Sequence, residues 1–116
     1  MATARTVEKK LNELIRRLDD APEDARANLT RALSNPRVVE ITVSDLGAAY
    51  WTELADGRFD ELHSGPAPDP DIRVSAASDD LVDMIDGNKS LFSSYLAGHI
   101  KIQASLSDLL SLRRLL

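Results

Sequence analysis

Cysteine is missing from all 116 residues, so neither a disulfide frame nor thiolate chemistry is open to the chain. That composition suits a reducing compartment. Long apolar runs are also missing: Met1 to Lys10 holds no stretch of signal-peptide length, and nothing later approaches a membrane span. A cytoplasmic location is therefore expected. The triplets Asn28-Leu29-Thr30 and Asn88-Lys89-Ser90 match a glycosylation acceptor, but without a secretory signal both are expected to be chance. The terminal Arg113-Arg114-Leu115-Leu116 is not the Ser-Lys-Leu peroxisomal address. Basic residues are too few for nucleic acid, with 14 Lys and Arg against 19 Asp and Glu and a net charge of −5, because phosphates must be met by clustered cations. The same balance disfavours standing adhesion to anionic membranes.

Chemistry-bearing motifs are scarce too. The two histidines, His63 and His99, stand far apart, and a zinc site needs several N or S ligands at short spacing. No Gly-x-Ser-x-Gly elbow anchors a hydrolase triad. Neither a Gly-x-Gly-x-x-Gly turn nor a phosphate loop is present. No catalytic residue, metal or cofactor is expected. Asp79, Asp80, Asp83 and Asp86 form the one dense acidic cluster, but they lack the alternation and closing glutamate of a calcium loop. They are expected to be a solvated helix face that suits the helix dipole.

What is present is ordinary globular patterning, 43% hydrophobic and 28% charged, at a length that fits one domain. Residues 1–116 are expected to form it, with helices over 1–35 and a sheet with covering helices over 38–116. Val7, Leu11, Leu14, Ile15 and Leu18 line one helical face. Pro22 suits the start of a second helix, with Glu23 and Asp24 in its first turn and Asn35-Pro36 at its end. Val39, Ile41 and Val43 then alternate with polar residues as a strand. Tyr50 to Ala55 reads as the next strand, and Asp56-Gly57 as a two-residue hairpin turn. Arg58 to His63 returns, giving a three-strand meander. Gly65 to Pro70 is expected to be a surface loop before a fourth strand, Asp71 to Ala76. Ser78 reads as the N-cap of a helix carrying Leu81, Met84 and Ile85, stopped by Asp86-Gly87. Leu91, Phe92, Tyr95 and Leu96 make a short helix closed by Gly98. Ile100 and Ile102 form a fifth strand, and a leucine-rich helix follows from Ser107. That helix has leucine on more than one face, so it plugs the core, faces an internal cavity or packs on a second subunit.

From Pro70 onward the sequence resembles the sterol-carrier-protein type lipid-binding domain family. The resemblance rests on Pro70-Asp71-Ile72-Arg73-Val74-Ser75, the helix start Ser78-Asp79-Asp80-Leu81, the break at Gly87, and Tyr95-Leu96-Ala97-Gly98-His99-Ile100-Lys101-Ile102. Upstream, Trp51 and Asp56-Gly57 match the family's hairpin. Two departures are His99 in place of the usual Lys, and Ala104 where a Gly is common. The resemblance implies an α/β (α+β) fold: a five-stranded mixed sheet covered by helices, with an apolar tunnel between the layers. It also implies non-catalytic binding or transfer of a sterol, fatty acid or acyl thioester. On strands, Val74 and Ile102 are the expected lining residues. On helices they are Leu81, Ile85, Phe92, Leu96, Leu106 and Leu109, with Tyr95 and His99 as polar neighbours. The expected partner is a lipid or other apolar small molecule, with no nucleic acid and no stable membrane insertion. The alternative is an accessory domain with a filled core, docking to a partner or forming a homodimer through its C-terminal helix.

Overall fold

Alternation of apolar and polar residues fixes which face of each strand meets the helices. The structure is a computed structural model that describes residues 2–20, 23, 24, 27, 31, 35–55 and 58–115. Side chains at 18, 19, 91, 92 and 111–115 are not described. Of the expected second helix from Pro22 only residues 23, 24, 27 and 31 are described, and they are helical; the Asp56-Gly57 turn lies outside the described residues.

The chain opens with α1 (Ala4–Asp19). The Thr3 hydroxyl accepts the Thr6 N–H at 3.2 Å, which satisfies a donor that the first helical turn leaves unpaired. Four strand segments follow: β1 (Arg37–Val43), β2 (Ala48–Ala55), β3 (Arg58–Phe59) and β4 (His63–Ser64). After β5 (Ile72–Ala76) come α2 (Ser78–Ile85), α3 (Leu91–Leu96), β6 (Ile100–Gln103) and α4 (Leu106–Leu115). The sheet order is β3-β2-β1-β5-β6, with β4 also on β2. Only β1 and β5 run parallel, so the sheet is mixed.

Its helix-facing side is built from Val39, Ile41 and Val43 on β1, Tyr50, Thr52 and Leu54 on β2, Ile72, Val74 and Ala76 on β5, and Ile100 and Ile102 on β6. Val7 and Leu11 of α1 and Leu81 and Ile85 of α2 close over this side as one buried cluster. A smaller cluster forms around Leu54 and Ile72. The other side is polar. Its buried Glu40 accepts the Ala67 N–H at 2.7 Å, so the Gly65–Pro70 segment lies across the back of the sheet instead of standing clear in solvent.

Two local expectations are corrected. The third strand is not continuous, and six strand segments replace the five expected. Leu54 pairs with Phe59 but Trp51 pairs with His63, so the returning chain has one residue more than its partner. This is a β-bulge. It is held by the Thr52 hydroxyl donating to the Asp60 carbonyl at 2.8 Å and the Asp60 N–H donating to Glu53 at 2.9 Å. Likewise, Ser78 is not the N-cap of α2. Ala77 takes that position with no side-chain bond, and Asp45, from the β1–β2 turn, serves the helix start instead. The acidic cluster is also less solvated than expected, since Lys89 reaches Asp80 at 3.0 Å and Asp83 at 3.6 Å, and Lys10 reaches Asp86 at 2.6 Å.

Helix ends obey the glycine rule. Gly87 and Gly98 have φ of 81° and 79°, a conformation costly for a residue with a Cβ. At Gly98 the N–H bonds to Tyr95, and the next N–H, that of His99, bonds to Ser94, which closes α3 as a Schellman motif.

Candidate functional site

A cavity of about 410 Å³ opens between the sheet and helices α1 and α2. Helix α1 supplies Leu11 and, one turn on, Leu14 and Ile15, and α2 supplies Leu81, Met84 and Ile85. The floor is Val39, Ile41 and Val74 of the central strands. Phe59 and Leu62 form the outer wall on either side of the bulge. In an unbroken strand, positions 59 and 61 would share a face; the extra residue lets 59 and 62 do so and leaves the Glu61 side chain in solvent. Among the described residues Thr52 is the one polar lining residue, and its hydroxyl is already engaged by Asp60.

Charge is confined to the rim. The Arg17 guanidinium donates to the Ile85 carbonyl at 2.7 Å, at the C-terminal end of α2, where a cation suits the helix dipole. Lys10 bridges Asp86 and Glu13, and the Asp86 bond raises the Lys10 pKa. On the far side of α2, Lys89 holds Asp80 below the usual carboxyl range, and His99 lies 3.6 Å from the same carboxylate. Among the described residues no group of three or more His, Asp or Glu could hold a metal. His63 stacks on Trp51, centroids 4.1 Å apart, on the back of the sheet away from the cavity.

Of the residues expected to line a site, Val74, Leu81 and Ile85 stand on the cavity wall. Ile102, the cross-strand neighbour of Val74, packs against both core clusters but does not line the cavity. Leu109 is half-buried, while Leu96 and Leu106 are exposed at 69% and 74%. The Phe92 side chain lies outside those described. Sequence reasoning missed the contributions of α1, of β1 and of the bulged strand. The signal lies in the Leu11, Leu14, Ile15 stripe and the Val39, Ile41 alternation, which mark buried faces without telling core from cavity.

Residues 11–116 match the SCP-2 sterol transfer family. The chain belongs to that family. Its solved relatives in fold include sterol carrier protein 2 like 2 from Aedes aegypti, with TM-score 0.65, 11% identity, and 98% of this chain and 100% of that one covered. The palmitated form of the Aedes aegypti protein gives 0.63 and 13%, covering 92% and 90%. The stereoselective inverting sec-alkylsulfatase Pisa1 from Pseudomonas sp. gives 0.56 and 18%, covering 74% of this chain. There the SCP-2-like part spans only 14% of the enzyme's length. Compared with curated proteins, the sequence matches none. Family membership agrees with the mixed sheet and helical cover described above, a lipid-binding sterol-carrier fold. Among the described residues, no helix of this SCP-2 family chain is long and apolar enough to cross a membrane.

Proposed function

We propose that the cavity receives the apolar part of a lipid, without covalent chemistry, so that the protein binds and passes on a sterol, fatty acid or acyl thioester. The observation that carries this reading is the wall itself: about 410 Å³ bounded, among the described residues, by hydrocarbon and thioether side chains and one hydroxyl that is already bonded. Ligand sites run from about 300 to 1,000 Å³ and are mostly apolar. Burying about a dozen methylenes gives roughly 10 kcal/mol gross. Association costs about 4 kcal/mol or more, which leaves about 6 kcal/mol or less, an affinity of tens of micromolar or weaker. A carrier must release its cargo, so that range suits transfer.

The palmitated state of the insect relative makes an acyl chain the first ligand to test. Arg17 favours one with an anionic head. Its bond to Ile85 is its only hydrogen bond or ion pair among the described residues, and a guanidinium has five N–H donors. Val74, Leu81 and Ile85 belong to the proposed lining, together with Leu11, Leu14 and Ile41.

Titration with a fluorescent fatty acid, alongside native mass spectrometry of the purified protein, tests this. Leu81→Trp should abolish uptake while the far-ultraviolet circular dichroism stays unchanged. Arg17→Gln should weaken a fatty acid about tenfold, the loss of one charge-assisted bond, and leave the alcohol of equal chain length unaffected. A wild-type protein that copurifies with no lipid and binds none overturns the reading. The accessory-domain alternative, which the exposed Leu106 and Leu110 favour, then replaces it.

A further inference from the structure

Across the bulge, two residues of β2 face three of the returning chain. Leu54 pairs with Phe59 and Trp51 with His63, which leaves Thr52 and Glu53 opposite Asp60, Glu61 and Leu62. With one residue too many, the ladder cannot serve every main-chain group there. Glu53 takes one of them, accepting the Asp60 N–H at 2.9 Å. The Asp60 carbonyl receives no backbone N–H among the described residues. The Thr52 hydroxyl stands in for it, donating at 2.8 Å. The Asp60 carboxylate only caps the next N–H, that of Glu61, at 2.8 Å. Two bonds thus fasten the bulge to β2, and one of them is made by a side chain.

That side chain is buried and belongs to the cavity wall. Phe59 and Leu62, the apolar residues of the outer wall, stand on either side of the carbonyl it holds. Valine has nearly the shape of threonine and no polar group to bury. The two accounts of this hydroxyl therefore give opposite signs for its removal. As a polar blemish in an apolar wall, its loss would tighten the hold on hydrocarbon. As a fastening, its loss would strand the Asp60 carbonyl and loosen the segment that carries Phe59 and Leu62.

We propose that Thr52 is a positioning residue of the fastening kind: its hydroxyl, acting through the Asp60 carbonyl, fixes the outer wall and so sets how long an acyl chain stays in the cavity. The proposal rests on the carrier reading for the cargo, and on the bulge geometry alone for the fastening.

The absence of cysteine from the chain lets the fastening be measured without cargo. Leu62→Cys introduces a thiol whose labelling rate reports how often the wall exposes it. Thr52→Val should speed that labelling about tenfold, the equivalent of one lost hydrogen bond. Thr52→Ser, which keeps the hydroxyl, should label as slowly as the parent. Labelling of Ile41→Cys on the cavity floor should stay unchanged, whereas general destabilisation would speed both positions. In stopped flow with a fluorescent fatty acid, Thr52→Val should release its cargo about tenfold faster and take it up at nearly the wild-type rate. Cargo held as long or longer by Thr52→Val overturns the proposal. So does Thr52→Ser behaving as Thr52→Val, or equal acceleration at positions 62 and 41. A wild-type protein that takes up no fatty acid overturns the carrier reading; faster labelling at position 62 still supports the fastening, and unchanged labelling there overturns it.

Discussion

Asp45 grips Ser78 with both oxygens of its carboxylate, accepting the backbone N–H at 2.8 Å and the hydroxyl at 2.7 Å. The β1–β2 turn thereby supplies the cap that α2 lacks in its own sequence, and the fully buried Ser78 finds a partner 33 residues away. Helix α2 carries Leu81 and Ile85 into the cavity wall, so this contact positions the site from outside it.

Those bonds, the Ser78 hydroxyl first and its N–H second, lower the Asp45 pKa below the ordinary 3.8. A group depressed in the folded state stabilises fully above its unfolded value and loses that contribution as pH falls through the folded one. Thermal melts should therefore decline in acid below about 3.8. Asp45→Asn should melt lower at neutral pH and show a shallower acid decline. Parallel acid curves for the two proteins would remove Asp45 from the account.

Arg37 and Asp108 tie the start of β1 to the first turn of α4. The pair is mostly buried, with side chains 20% and 7% exposed, and removing one partner of such a pair strands the other. Asp108→Ala should cost about 3 kcal/mol in urea unfolding. Arg37→Met added to it should recover part of that loss, because no unpaired charge remains. A single-variant cost under about 0.5 kcal/mol would mean that solvent already screens the pair.

At Gly98 the cost of a side chain is one of backbone alone, since an added Cβ would meet nothing within 4 Å. Gly98→Ala should destabilise by about 1–2 kcal/mol because φ is positive there. Gly98→Asn should cost less, as asparagine tolerates this region. Equal melting temperatures for glycine and alanine would show that the turn relaxes.

Elements with a local rule were legible in the sequence. Alternation at Val39, Ile41 and Val43 and again at Ile100 and Ile102 gave both strand and facing. Glycines 87 and 98 gave helix ends. The Asp45 cap was not legible, because the acceptor and the N–H it serves are far apart in sequence and each looks ordinary alone. The bulge escaped for another reason: Arg58 to His63 reads equally well as one strand until its partner's register is known. The cavity was legible only in part, because an apolar stripe such as Leu11, Leu14 and Ile15 is the same whether it meets side chains or a void. The exposure of Leu96 and Leu106 has the same origin, since helical periodicity tells which residues share a face and not whether that face is covered.

The broken third strand has a mechanical consequence. β1 and β2 are zipped along seven residues, yet the wall that holds Phe59 and Leu62 is fastened to the sheet by two segments only two residues long. Openings start where the fewest bonds must break together, so this margin should fray while the central strands stay shut. Amide exchange at Phe59 and Leu62 would then outpace that of Ile41 and Val74 across the same compartment. Fraying of this margin would widen the cavity on that side without moving α1 or α2.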